Sequence, residues 1–152
     1  MDKIEFHFLE QLLYHTDKEY VVSQIKNVDN PLFLHYFAGN YDWDSGFEVP
    51  TVILDHEACD LGTGLLMFHY ADGYRMLERS EGNTGPSLME WIGFLTKIYT
   101  KLVNLDFKSR NISFDPGLTK IQKYKMKKDN PELPDVLIDK SPGGEIEIPK
   151  LS

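Results

Sequence analysis

The sequence predicts a mainly all-α protein, a bundle of short helices closed by a C-terminal tail that is either extended or a small β-hairpin. Three observations carry this expectation. Polar capping residues recur directly before apolar positions at helical spacing. Leu88, Trp91, Ile92, Leu95, Ile98, Tyr99 and Leu102 keep that spacing over about four turns. Strand-like alternation is confined to the chain after Asn130, where four of the eight prolines fall. The expected organisation is one helical domain over residues 1–129 and a Pro-rich tail or hairpin over 130–152.

The elements follow in order. Asp2 and Glu5 have N-cap and N3 spacing, and Ile4, Phe8, Leu9 and Leu12 form the stripe behind them. Thr16-Asp17-Lys18-Glu19 has capping-box spacing, with Thr16 as N-cap, ahead of Val21, Val22, Ile25 and Val28. Asn30-Pro31 places a cap before a proline at the first helical position, where a missing N–H breaks no bond. That helix should stop at Gly39-Asn40. Ser45 and Glu48 offer a further capping box, and Pro50 requires the helix to begin close to it and run to about His56. Asp60 can cap a helix through Leu65, Leu66, Phe68 and Tyr70 that ends at Asp72-Gly73. This helix is apolar on most sides, so it should be central. Residues 74–85 read as a loop, Pro86 opens the longest helix, and Asp115-Pro116 starts a last one from Leu118 to about Lys128. In the tail, Val136–Ile138 and Glu145–Ile148 flank Ser141-Pro142-Gly143-Gly144, as a hairpin or an extended run. The helices near 31–39, 46–57 and 61–72 start at similar intervals, which suggests repeat-like stacking.

At 152 residues the chain suits a single domain. One cysteine, Cys59, rules out an internal disulfide framework and favours a reducing compartment. The N-terminus shows no apolar stretch of signal-peptide type, and no run approaches the length of a membrane span. The expectation is a cytoplasmic protein with no membrane contact. The formal net charge of −8 is uneven. Residues 1–90 hold 5 Lys+Arg against 16 Asp+Glu, whereas residues 91–152 hold 11 against 8. The acidic part would repel nucleic acid and attract a basic protein.

Four clusters are candidates for chemistry. Asn40, Asp42 and Asp44 alternate like the start of a calcium loop, but Ser45 and Thr51 stand where Gly and Glu are needed. His56 and Cys59 could form half a zinc site, yet no second cysteine exists and His35 and His69 are not at a matching interval. Cys59 with His56 or His69 could be drawn as a nucleophile and base, without any oxyanion motif. Lys120, Lys123, Lys125, Lys127 and Lys128 surround Tyr124 and could track phosphates, but a helix C-terminus also favours lysine. No catalytic residue, metal ligand or cofactor is assigned.

The stretch Asn40-Tyr41-Asp42-Trp43-Asp44-Ser45-Gly46-Phe47-Glu48-Val49-Pro50, followed by Cys59-Asp60-Leu61-Gly62-Thr63, resembles the bacterial domain-of-unknown-function family 4274 over roughly residues 30–80. The resemblance implies a bacterial cytosolic protein and no catalytic residues. Small families of this type often lie near toxin genes as immunity proteins, which is an association rather than a mechanism.

Three functional readings follow. The first is an acidic protein-binding module, such as an immunity protein for a toxin, in which Asp42, Trp43, Asp44 and Glu48 hold a basic protein partner. The second is a small metal- or thiol-dependent hydrolase using His56, Cys59, Asp60 and His69. The third is a structural scaffold subunit whose tail from Asn130 docks on a neighbour.

Overall fold

The fold is a stack of short helices around a central one, as the capping pattern anticipates. A computed structural model describes residues 1–77 and 86–151. Its helices are α1 (Lys3–Leu13), α2 (Lys18–Lys26), α3 (Pro31–Asn40), α4 (Glu48–Asp55), α5 (Leu61–Tyr70), α6 (Gly73–Leu77), α7 (Pro86–Val103) and α8 (Lys120–Asp129). Single 3-10 turns occupy Trp43–Ser45 and Asp135–Leu137. Two short strands, β1 (Ile112–Ser113) and β2 (Gly144–Glu145), pair in parallel.

Three caps, Asp2, Asn30 and Asp60, act where the sequence places them. Asp2 accepts from the Glu5 amide, and Asn30 accepts from the Leu32 amide with Pro31 behind it. Two caps differ. The N-cap of α2 is Asp17 rather than Thr16, because its carboxylate reaches the Glu19 and Tyr20 amides together. The N-cap of α8 is Thr119, whose capping box with Gln122 starts the helix later than Asp115-Pro116 suggested. The expected loop after Gly73 opens instead with α6. Asp72 takes the left-handed turn at φ 59 that ends α5, leaving Gly73 free to begin the next helix. The rest of that expected loop, residues 78–85, lies outside the described residues.

Helix α5 is central because Leu61 through Phe68 are all buried, glycines included. It packs on α3, α7, α6 and β1. Helix α1 packs on α3 and α2 on α4, so neighbours in space are mostly second neighbours in sequence. Such an order is what stacked helices produce.

The tail is extended rather than a hairpin. Val136 and Leu137 sit in a 3-10 turn against α7, and Gly144-Glu145 pairs with β1. Strand β1 offers the tail a partner that Val136–Ile138 does not. The Ser141 amide donates to the Phe114 carbonyl, and the Ser141 hydroxyl accepts from the Phe114 amide (2.9 and 2.8 Å). Leu133, Leu137 and Ile138 are buried in the same core as α1 to α7.

One carboxylate joins the first part of the chain to the second. Asp60, fully buried at the start of α5, accepts from the Gly62 amide (2.9 Å), the Ser109 hydroxyl (2.7 Å), the Asn111 amide (2.7 Å) and the Ile112 amide (3.1 Å). The Leu61 amide donates to the Ser109 carbonyl alongside (3.0 Å). The backbones meet so closely that a Cβ on Gly62 would stand 1.8 Å from the Ile112 carbonyl oxygen.

Gly62→Ala should therefore lower stability by about 3 kcal/mol or more through overpacking that neither backbone can relieve. Gly93→Ala, in an exposed turn of α7 with nothing within 4 Å of the new carbon, should raise it by about 0.5–1 kcal/mol. Urea midpoints of the two variants check this. Equal and small changes would mean that α5 and β1 separate easily.

Candidate functional site: the acidic loop 41–48

The loop begins where α3 ends at Asn40. Tyr41 is extended, and Asp42 caps the following 3-10 turn by accepting from the Asp44 amide (3.1 Å) and the Ser45 hydroxyl (3.3 Å). Ser45 is thus held by Asp42 and does not cap α4. That N-cap position falls to Phe47, which has no capping side chain, and Glu48 and Pro50 lie in the helix's first turn. Gly46 turns the chain at φ 102. The Tyr41 hydroxyl donates across the loop to the Gly46 carbonyl (2.8 Å), and Lys18 of α2 donates to the Ser45 carbonyl (2.6 Å).

The aromatic side chains point the other way. Trp43 is half-buried, edge-on to Tyr41 at 5.4 Å and tilted against Phe94 of α7 at 5.9 Å. Phe47 stacks on the same Phe94 at 5.2 Å. The indole N–H of Trp43 is buried, without a hydrogen-bond partner among the described residues. Trp43 thus pins the loop to the core and leaves Asp42, Asp44 and Glu48 exposed. Burial first, then the charges of Asp42 and Glu48, push the Tyr41 hydroxyl up to about 12, so it remains a donor.

Among the described residues, no lysine or arginine forms an ion pair with Asp42, Asp44 or Glu48. Acids elsewhere do find partners. Asp55 pairs with Lys97 (2.6 Å), Glu57 with Lys108 (3.0 Å), Asp139 with Lys123 (3.0 Å), Asp135 with Lys127 and Glu145 with Lys140. The lysine run of α8 is therefore partly engaged with the chain's own tail.

The residues of the hydrolase reading serve folding contacts, and His56 and Cys59 meet through the Cys59 amide, which donates to the His56 carbonyl (3.0 Å). Cys59 is buried, and burial pushes its thiol up to about 12, away from a reactive thiolate. Asp60 is the buried cap described above. His69 donates from Nε2 to the Leu137 carbonyl (2.7 Å), the only sense a carbonyl allows, and burial lowers its pKa. His56 accepts the Ala58 amide at Nδ1 (2.9 Å), which puts the proton of the neutral ring on Nε2, a buried atom with no partner among the described residues. Among the described residues, no three His, Cys, Asp or Glu side chains are grouped to hold a metal, and no helix is long and apolar enough to cross a membrane.

Sequence reasoning missed the buried pair His35 and Thr63, whose Nδ1 and Oγ1 lie 2.9 Å apart. A histidine and a threonine inside otherwise apolar helices were the available signal. Asn40 and Tyr14 were also missed; both bond the tail.

The fold and the loop together define a helical stack carrying a hydrogen-bonded turn with three exposed carboxylates, touched by Lys18 at the Ser45 carbonyl. Residues 29–103 match the family described as Domain of unknown function (DUF4274), so the resemblance found around the loop is to this family and extends from α3 through α7. No curated protein and no solved structure matches the chain.

Burial lowers the His35 pKa to about 4, against a smaller opposing pull from Asp60. Above about pH 6.5 His35 is neutral in both folded and unfolded chains. Between about pH 6.5 and 4 only the unfolded chain takes up the proton, so stability falls as pH falls through that window, by up to about 3 kcal/mol. The lowered His69 acts in the same direction. His35→Gln should flatten the plot of urea midpoint against pH between 7 and about 4.5 relative to wild type. Parallel profiles would mean that His35 titrates as an ordinary histidine.

Proposed function

We propose that this protein is an acidic protein-binding module that receives a basic protein partner on the loop 41–48. The observation carrying this reading is the set of three exposed carboxylates, Asp42, Asp44 and Glu48, on a hydrogen-bonded turn and the helix start that follows it, none of them in an ion pair among the described residues although Lys18 reaches the neighbouring Ser45 carbonyl. Charges that a fold leaves unpaired at a rigid site attract and orient an oppositely charged surface at little ordering cost. The balance of 5 basic to 16 acidic residues over positions 1–90 extends the attraction beyond the loop. In this reading Trp43 acts from below, fixing the turn against Phe94, rather than as an exposed anchor.

The specific form we favour is cytoplasmic and inhibitory, an immunity protein that covers the basic working surface of a toxin. Such a role needs no catalytic residue, metal or cofactor. It needs a stable scaffold and a charged face.

The test is affinity against salt. Partners retained by the immobilised chain at low ionic strength are eluted with rising salt, and the basic protein recovered is titrated against wild type and against Asp42→Lys plus Asp44→Lys. The double variant should bind at least about ten-fold more weakly, mainly through slower association, and its salt dependence should be shallower. Unchanged affinity and slope would remove the loop as the binding site.

A further inference from the structure

The last residues of the chain are held as a bound peptide would be. Beyond β2, Asn40 at the end of α3 donates from Nδ2 to the Pro149 carbonyl (2.9 Å) and accepts at Oδ1 from the Leu151 amide (2.9 Å). One side-chain amide thus grips main-chain groups two residues apart, as a neighbouring strand would. The same Nδ2 donates to the Tyr36 carbonyl (2.9 Å), which fixes the amide's orientation. Tyr14, just past α1, donates its hydroxyl to the Leu151 carbonyl (2.8 Å).

The side chains fit as well. A Cβ on Gly39 would lie 2.9 Å from both Cδ1 and Cγ2 of Ile148, so the missing side chain is what seats the isoleucine. Ile148 and Leu151 pack partly buried against the core, while Lys150 between them is exposed. The cleft therefore selects a backbone course and two aliphatic side chains, and it tolerates a basic residue between them. Tyr36, Gly39 and Asn40 lie inside the family-matched segment 29–103, whereas the residues they hold lie well beyond its end. The cleft also stops two residues before Asp42, where the acidic loop begins.

We propose that this cleft is a docking groove for an extended peptide of the pattern aliphatic-Pro-x-aliphatic. Residues 148–151 fill it within the chain, and a segment of a protein partner with that chemistry takes their place. The inference stands apart from the charge of the loop, since Asn40, Tyr14 and Gly39 carry none. Tethering gives the chain's own segment an effective concentration of about millimolar or more, so wild type resists exchange.

The experiment uses the full-length chain with Ile148→Ser and Leu151→Ser, checked for folding by circular dichroism, and a fluorescent peptide spanning residues 145–152. The peptide should bind this variant at least about ten-fold more tightly than it binds wild type, and adding Asn40→Ala should remove at least about ten-fold of that affinity. A folded variant that ignores the peptide, or that binds it regardless of Asn40, overturns the proposal. Amide exchange gives a second measurement on wild type with the single change Asn40→Ala. Exchange at Leu151 should speed up at least about ten-fold while the α5 amides keep their protection. Unaltered protection at Leu151 would show that Asn40 does not hold the segment, and overturns the proposal equally.

Discussion

The buried carboxylate of Asp60 is the constraint on which the rest of the structure depends. It caps the central helix and at the same time accepts from Ser109, Asn111 and Ile112, some fifty positions later. Through Ile112 it sets β1, through β1 it sets β2, and from β2 the tail crosses to Asn40. Burying a carboxylate is costly, and the four donors largely offset that cost rather than exceed it by much. The asymmetry lies elsewhere: with the acceptor gone, the buried Gly62 and Ile112 amides would lose their partner, at about 1–3 kcal/mol each. The carboxylate therefore specifies the path of the second half of the chain more than it adds to total stability.

Local interactions were legible in the sequence, and distant ones were not. Asp2, Asn30 and Asp60 act on amides two or three residues away, so residue type and spacing sufficed to place their helices. Where two candidates compete within one turn, as Thr16 and Asp17 do, spacing alone cannot rank them, and the carboxylate that reaches two amides prevails. Ser45 fails as a cap because Asp42 holds its hydroxyl, a competition that a capping-box pattern does not represent. The parallel pairing of β1 with β2 escaped because each strand is two residues long and its partner is far away in sequence.

The candidate site divides along the same line. That residues 40–48 form a turn rich in exposed carboxylates followed from composition and punctuation. That Trp43 packs against Phe94 did not, because that helix lies some fifty residues further along the chain; the sequence suggested only packing of the indole on the helix beginning near Gly46. The same holds for Asn40, visible in the sequence only as a helix terminator and shown by the fold to be the anchor of the tail. The groove at Asn40 and the charged turn after it adjoin in one strip of chain. A partner with a basic surface and an extended apolar segment would meet both.

The most direct test of the central claim is the stability of Asp60→Asn, followed by urea unfolding and by amide exchange at Asn111 and Ile112. The substitution keeps size and shape but turns an amide NH2 toward donors that need an acceptor. We expect a loss on the order of 3 kcal/mol, with faster exchange at Asn111 and Ile112 ahead of global unfolding. Wild-type stability with unchanged protection at those two amides would contradict the account, because the second half of the chain would then be held in place without this carboxylate.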